Sequence, residues 1–421
     1  MVYRLFKNTF LFVLIITVSC GRSTGQVKTE NSDKEQVSET PLDTIVKDTL
    51  LVLAANRTEA YLPLFQNKKI GIVGNQSSLI KRSKNTSEAD SYTHLVDSLV
   101  SLEVNIIRVF APEHGFRGTA DAGESIKDGK DVKTGLSIIS LYGDNKKPKP
   151  EQIKDIELMI FDLQDVGARF YTYISTLHYV MEACAENNIP LLLLDRPNPN
   201  GHYVDGPTLK MEHNSFVGMH PIPVVHGLTL GEYAQMINGE KWLKNGVKCK
   251  LEVIKMENYS HDLSYNLPVK PSPNLPNAKA INLYPSLCFF EGTNVNAGRG
   301  TNKQFQVYGS PFLNNEMYQF SYTPVSTEGA TSPKHMNKLC YGEDLSKAEE
   351  LNSINLNWLI KAYNNTSDKN NFFNSFFTKL AGSTELQKQI ESGMTPSEIK
   401  KTWQKDLELF NEKRKAYLLY N

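Results

Sequence analysis

The chain has 421 residues, of which 40% are hydrophobic and 22% are charged, and its formal net charge at pH 7 is zero. This composition is typical of a globular protein, and the length predicts two domains. A neutral chain without a basic stripe or an acidic tail argues against nucleic acid as a partner.

Residues 1–20 have the pattern of a secretory signal peptide. Arg4 and Lys7 precede an apolar run that ends just before Cys20. We expect Cys20 to be lipidated, as in a bacterial lipoprotein; the alternative is an ordinary signal peptide with an incidental cysteine. Residues 21–47 are polar and predict a flexible tether. We therefore expect an exported protein of the periplasm or cell envelope that contacts a membrane only through its lipid anchor.

Four apolar runs, each followed by a polar or glycine-rich loop, predict the buried strands of a parallel sheet. They are "KKIGIVGNQSS" (68–78), "NIIRVFAPEHG" (105–115), "IELMIFDLQDVGARFYTY" (156–173) and "IPLLLLDRPNPNG" (189–201). Helical patterns lie between them, at 92–103, 150–157 and 175–188. Because ligands bind at the carboxyl ends of such strands, the four polar loops are candidates for a site.

The alternation of strand and helix predicts an α/β fold with two domains. The first is an open, doubly wound parallel sheet over residues 48–270, and the remaining residues 271–421 are expected to form a second domain. Later elements include a helix that opens near Thr229 and a strand in "CKLEVIKM". The last helix begins after Thr395, with Glu398 three residues later as in a capping box.

Several common motifs are missing from the sequence. The loop after the first strand reads "GNQSS" rather than GxGxxG, and no P-loop or GxSxG elbow occurs, so no cofactor is predicted. The histidines do not cluster, and no cysteine pair has the CxxC spacing of a zinc site, so no metal is predicted either. The four cysteines after Cys20 are small buried residues or members of one or two disulfides.

Glu113 and Glu291 occupy the same sequence context, since each ends an apolar run and enters a polar, glycine-containing loop. Two carboxylates at the mouth of a cleft are what glycosidic hydrolysis requires: one protonates the departing oxygen and the other activates water or attacks the anomeric carbon. His114 and Arg117 flank Glu113, and Asn294 and Arg299 follow Glu291. The alternative is that both glutamates are solvated or cap a turn.

The loop after the third run adds Asp165, Arg169 and Tyr171, which are typical ligands of sugar hydroxyl and acid groups. Two of them have a structural alternative: Asp165 as a loop cap and Arg169 as an ion-pair partner. His226 ends another apolar run, and the sequence favours a ligand-binding role and a structural role for it equally.

Taken in order, strings such as "PEHGFRG", "DLQDVGARFYTYISTL", "LDRPNPNG", "PIPVVHGLTLGEYAQMINGE" and "YPSLCFFEGTN" resemble the NamZ-type exo-β-N-acetylmuramidases, a glycoside hydrolase family. The resemblance covers roughly residues 50–421. It implies a Rossmann-like domain and a smaller α/β domain with the active-site cleft between them. It also implies release of N-acetylmuramic acid from the non-reducing end of peptidoglycan fragments.

The resemblance makes Glu113 and Glu291 the acid and the base or nucleophile, with His114 beside them. It also implies that the cleft contains these further residues: Asn75, Arg117, Asp165, Arg169, Tyr171, Asn198, His226, Asn294 and Arg299. A forked guanidinium is the natural ligand of a carboxylate, so we expect one of the three arginines to bind the lactyl group of muramic acid. Family members commonly have a Thr-Asn pair where this chain has the loop "GNQSS". We expect this difference to affect which aglycone or peptide stem the pocket accepts, more than the reaction itself.

Two other functions fit the same pattern. The first is a non-catalytic lipoprotein that binds muropeptides in the cleft, and the second is a muramyl amidase or esterase. The second is disfavoured because the sequence has no metal cluster or nucleophile motif.

Overall fold

The computed structural model describes residues 50–82, 91–118 and 128–421. Its central sheet has seven strands in the order β5-β6-β4-β1-β7-β8-β9. Their bounds are β1 Ile70–Gly74, β4 Ile106–Ala111, β5 Gly129–Lys130, β6 Ser137–Ser140, β7 Leu158–Asp162, β8 Leu191–Leu194 and β9 Leu251–Ile254. All neighbours run parallel except β5, which is antiparallel to β6.

The parallel strands, counted along the chain, lie in the order 3-2-1-4-5-6, which is the Rossmann arrangement. The order reverses between β1 and β7, and the crevice at their carboxyl ends is the usual ligand site of such a sheet. The α/β prediction is therefore confirmed, and the four predicted runs form β1, β4, β7 and β8.

Alternate residues of the central strands pack into two separate cores, one on each face of the sheet. In β7, Met159 and Phe161 join the larger core, whereas Leu158 and Ile160 join the smaller. The strands read as continuous apolar runs because both of their faces are buried.

The described part of the chain contains ten α-helices. They are α1 Thr58–Tyr61, α2 Leu95–Ser101, α3 Pro150–Ile153, α4 Tyr173–Glu186, α5 Leu230–Gly239, α6 Ala278–Leu287, α7 Asn357–Asn364, α8 Ser375–Ala381, α9 Glu385–Glu391 and α10 Pro396–Arg414. Capping boxes at Thr229 and Thr395 begin α5 and α10 where the sequence predicts. None of the helices in these described ranges is long and apolar enough to cross a bilayer.

The pattern at 92–103 is not wholly helical. Tyr92–His94 forms β3, which pairs with β2 (Leu79–Lys81), and only the rest of the segment is α2. The His94 ring caps that helix by accepting a hydrogen bond from the Val96 amide at 3.2 Å.

The second half of the chain carries a smaller antiparallel sheet in the order β10-β12-β11, with β10 Val307–Ser310, β11 Phe320–Tyr322 and β12 Cys340–Asp344. The larger core contains residues from both halves, such as Leu191 and Phe290. The described residues from 50 onward accordingly form one compact unit. A domain boundary near residue 270 remains a prediction, and the signal peptide, Cys20 and the tether lie outside the described residues.

All four cysteines after Cys20 are buried free thiols: Cys184, Cys249, Cys288 and Cys340. They therefore act as small apolar residues of the core, and the disulfide alternative is wrong.

A buried ion pair fixes the carboxyl edge of the sheet. The Arg196 guanidinium donates to both carboxylate oxygens of Asp162, at 2.6 and 2.9 Å, and to the carbonyl of Leu79 at 3.1 Å. The Ser78 hydroxyl donates to the carbonyl of Asp162 at 2.6 Å. These contacts hold the loop after β1 against the ends of β7 and β8.

Candidate active site

A cavity of about 820 Å³ opens at the carboxyl edge of the sheet. The loops after β4, β6 and β7 contribute to its lining, together with segments from the second half of the chain. Five of the predicted site residues line it: Glu113, His114, Tyr171, Glu291 and Arg299. The two candidate carboxylates are therefore in one cavity, although 177 positions of sequence separate them.

Glu113 follows β4, and its carboxylate lies among hydroxyl groups. The Thr172 hydroxyl donates a hydrogen bond to Glu113 Oε2 at 2.8 Å. Tyr142, in the loop after β6, also interacts with this carboxylate, and burial together with Glu113 raises the pKa of the Tyr142 phenol. Three separate loops of the edge thus meet at Glu113.

His114 has a left-handed backbone conformation, which residues other than glycine rarely adopt. Its φ is 69°, and Gly115 follows with φ 77°. Such a conformation costs free energy and persists only where the surroundings impose it, which is common at functional sites. The turn places the imidazole, which is only 5% exposed, in the lining of the cavity beside Glu113.

Glu291 lies in the short 3-10 helix Cys288–Gly292 that continues from α6. Arg299 Nε donates to Glu291 Oε1 at 3.0 Å, and the Arg299 guanidinium lies 5.2 Å from the centre of the Phe305 ring. Burial alone would lower the pKa of Arg299, but the Glu291 carboxylate outweighs it and raises the value. Within the described residues, the Nη atoms of Arg299 make no hydrogen bond, so they remain available to a ligand.

Lys334 holds the backbone that carries Glu291. Its ammonium donates to the carbonyls of Phe290, Thr293 and Val295, at 3.0, 2.5 and 3.0 Å. Burial lowers the pKa of Lys334, and the nearby Glu291 carboxylate opposes that shift. Lys334 also lines the cavity, so two cations accompany the Glu291 carboxylate there.

Asn75 lies one layer behind the cavity. Its side-chain amide donates to the Tyr173 hydroxyl at 2.6 Å, and its own side chain is fully buried. Tyr171 and Tyr173 line the cavity, and both hydroxyls donate to the carbonyl of Pro271, at 2.9 and 3.3 Å. Asn75 therefore supports the wall of the cavity through Tyr173.

Two of the predicted arginine ligands have other partners. The Arg169 guanidinium is fully buried and donates to the carbonyls of Pro207, Ile222 and Leu380, at 2.7 to 2.8 Å. It joins distant segments of the chain and has no access to a substrate. Arg117 forms ion pairs with Asp97 and Asp131, at 3.1 and 2.7 Å, and is not part of the cavity lining.

The side chains of three other predicted ligands make hydrogen bonds to the main chain of the protein. Asn198 donates to the carbonyl of Leu228 at 3.0 Å, and the His226 ring accepts from the amide of Leu228 at 3.2 Å. Both side chains are about 1% exposed, and burial lowers the pKa of His226 to about 3. The Asn294 amide donates to the Asp368 carbonyl at 3.4 Å, outside the cavity lining.

Sequence reasoning missed Tyr142, Thr172 and Lys334. Tyr142 follows "LSIIS", a short apolar run with the same strand-then-loop pattern as the four that were recognised. Thr172 lies between Tyr171 and Tyr173 in "ARFYTY", where its sequence context does not distinguish it from a helix-capping threonine. Lys334 comes from an irregular loop, and no pattern in the sequence connects it to Glu291.

The described residues contain no group of three or more histidine, cysteine, aspartate or glutamate side chains placed to hold a metal ion. The chemistry that the cavity offers is that of two carboxylates, two cations and several hydroxyl groups.

Comparison with protein families gives two matches that together span most of the chain. The family described as exo-β-N-acetylmuramidase NamZ, N-terminal, matches residues 70–279, and its C-terminal counterpart matches residues 282–420. A Bacillus subtilis strain 168 protein named peptidoglycan β-N-acetylmuramidase NamZ is 34% identical over 437 residues. That alignment covers 98% of this chain and 100% of the relative.

Two solved structures from Bacteroides fragilis NCTC 9343, both titled DUF1343 family proteins, have the same fold. The first has a TM-score of 0.80 at 45% sequence identity and covers 89% of this chain and 99% of its own. The second has a TM-score of 0.72 at 25% identity and covers 88% of this chain and 99% of its own.

Asp165, the remaining predicted ligand, is buried beneath the cavity. The Gly167 amide donates to its Oδ2 at 2.7 Å, whereas its Oδ1 is buried with no partner in the described structure. Burial raises the pKa of Asp165 to about 7, although the Gly167 and Val166 amides oppose the shift. The folded protein therefore retains this proton at a pH where the unfolded chain has lost it.

The Asp165→Asn variant should change how stability depends on pH. Between about pH 4 and pH 7 the unfolded chain ionises Asp165 and the folded protein does not, so this group makes the protein less stable as the pH rises. A shift from 3.8 to about 7 corresponds to roughly 4 kcal/mol across that range. Urea unfolding at pH 4, 5.5 and 7 should show wild type losing stability relative to Asp165→Asn.

The exposed Asp155 provides the matched control, because Asp155→Asn should leave the pH dependence of wild type unchanged. Taking the difference between variants removes the contributions of other buried groups, such as Asp195. Parallel stability curves for wild type and Asp165→Asn would contradict the prediction.

Proposed function

Because the chain belongs to the NamZ family of exo-β-N-acetylmuramidases, and is thus a glycoside hydrolase, we propose that it removes N-acetylmuramic acid from the non-reducing ends of peptidoglycan fragments. The observation that carries this proposal is that Glu113 and Glu291 line one cavity at the carboxyl edge of the sheet. A pair of carboxylates that flanks the scissile bond is the usual equipment for this reaction.

The surroundings of the two glutamates support different roles. Glu291 accepts a hydrogen bond from Arg299 and lies near Lys334, so its carboxylate is held in place by two cations. An ionised carboxylate acts as the base that activates water or as the nucleophile that attacks the anomeric carbon. Glu113 contacts the hydroxyl groups of Thr172 and Tyr142 instead, and we assign it the transfer of a proton to the departing oxygen.

Hydrolysis of a chromogenic β-N-acetylmuramide tests the reaction and the two glutamates together. The purified protein should release the chromophore from the muramide, and the Glu113→Gln and Glu291→Gln variants should lose about a thousandfold in kcat. Glu408→Gln, on an exposed face of α10, is the matched control and should retain full activity.

If wild type binds muropeptides without turnover, the chain is a binding protein instead of a hydrolase. If only one glutamine variant loses activity, the assignment of a pair is wrong while the reaction stands.

Arg299 is the arginine best placed to bind the lactyl carboxylate that distinguishes muramic acid from N-acetylglucosamine. It lines the cavity and uses Nε for Glu291, which leaves the two Nη groups to face a ligand. Arg117 and Arg169 have other partners, as their ion pairs and carbonyl contacts indicate.

The Arg299→Met variant should therefore lose preference as well as rate. Its ratio of kcat/KM for the muramide over the matched N-acetylglucosaminide should fall roughly ten- to hundredfold, the value of a charge-assisted hydrogen bond. Arg117→Met should leave that ratio unchanged. An unaltered ratio in Arg299→Met would assign carboxylate recognition to another group.

We also propose that the protein is exported and anchored in the cell envelope by a lipid on Cys20. The sequence pattern of residues 1–20 supports this, as does a substrate class that lies outside the cytoplasm. A clickable fatty acid fed to expressing cells should label wild type in the membrane fraction and leave Cys20→Ser unlabelled. Wild type that is cleaved but unlabelled would identify an ordinary signal peptide.

A further inference from the structure

A second groove, of about 500 Å³, lies between the loop 311–315 and the segment 364–367. Its lining includes Phe312, Asn314, Asn315, Tyr341 and Asn364. In the part of the chain that the structure describes, no charged side chain lines it. The groove is therefore suited to an uncharged ligand.

Backbone hydrogen bonds fix the two walls of this groove against each other. The Asn314 amide donates to the Asn365 carbonyl at 3.1 Å, and the Ser367 amide donates to the Phe312 carbonyl at 2.8 Å. Leu313 and Thr366 form an isolated antiparallel bridge between them. A groove held in this way needs little ordering when a ligand binds.

Several polar groups of the groove are left for a ligand. Among the described residues, the side chains of Asn315 and Asn364 and the hydroxyl of Tyr341 have no hydrogen-bond partner. Phe312 is 37% exposed although it is a large apolar ring. Unpaired amides beside an exposed aromatic ring are the groups that bind sugar hydroxyls and acetamido groups while the apolar face of the sugar covers the ring.

We propose that this groove is a second saccharide-binding site, which takes an uncharged N-acetylated sugar of the glycan chain. The proposal rests on the proposed function, since it concerns the same substrate class. It adds a binding site outside the cavity that contains Glu113 and Glu291.

The groove and the cavity are joined by a short series of contacts. The Phe312 ring packs edge-on against His335, with centres 5.8 Å apart, and His335 Nε2 is 2.6 Å from the carbonyl of Asn294. Lys334, the neighbour of His335, lines the cavity. A glycan held at the groove stays close to the cavity, which raises its effective concentration there.

Kinetics on two substrates test this site. The KM for a muramic-acid-terminated tetrasaccharide should rise about tenfold in Phe312→Ala and in Asn364→Ala, relative to the KM for the chromogenic monosaccharide. A merely structural defect would change both values together. Met317→Ala, at a side chain 52% exposed just beyond the groove, is the control and should leave the ratio unchanged.

An unchanged KM ratio in both groove variants overturns the proposal, even where the chromogenic substrate is still hydrolysed. If wild type hydrolyses neither substrate, the proposed function fails, and calorimetry with a β-1,4-linked N-acetylglucosamine tetramer tests the groove by itself. Binding that Phe312→Ala abolishes supports the groove. Equal binding by wild type and variant, or no binding by wild type, overturns it.

Discussion

The buried ion pair between Arg196 and Asp162 is the contact on which the geometry of the sheet edge depends. Asp162 ends β7 and Arg196 follows the end of β8, and both side chains are almost fully buried. Such a pair is retained only with additional hydrogen bonds, and the Arg196 guanidinium makes one to the Leu79 carbonyl. The Ser78 hydroxyl also donates to the main-chain carbonyl of Asp162. The loop after β1 is thereby tied to β7 and β8, beside the point where the strand order reverses. The position of Asn75, and through it of Tyr173, follows from this arrangement.

Glu291 depends on a different kind of support, because it comes from a short 3-10 helix and an irregular loop instead of a strand end. Lys334 supplies that support by binding three carbonyls around the glutamate. An ammonium has three donors, so the three carbonyls satisfy it completely and leave it little freedom to approach a substrate. Its charge nevertheless remains near Glu291. One side chain therefore fixes both the position and the electrostatic surroundings of the carboxylate.

The sequence was sufficient to predict the sheet and the strand ends, and to select two glutamates that line one cavity, because buried strands and the loops that follow them leave a local pattern. It could not separate a ligand from a structural residue among polar side chains in those loops. Arg169, His226 and Arg299 all lie at or just beyond the end of an apolar run, yet Arg169 and His226 are fully buried. Lys334 was missed for the complementary reason: its importance arises from three carbonyls about forty residues away. Only the tertiary structure contains that information.

The distribution of charge in the cavity fits an acidic sugar better than a neutral one. Arg299 and Lys334 bring two positive charges to one negative charge on Glu291, so this end of the cavity carries a net positive charge before any ligand binds. A lactyl carboxylate would balance it, whereas a sugar without that group would leave a partly buried cation uncompensated, which is unfavourable. The second positive charge also lets Arg299 share its guanidinium with a substrate while Glu291 remains paired. On the proposed function, the same pair of cations would bind the substrate and hold the Glu291 carboxylate in place.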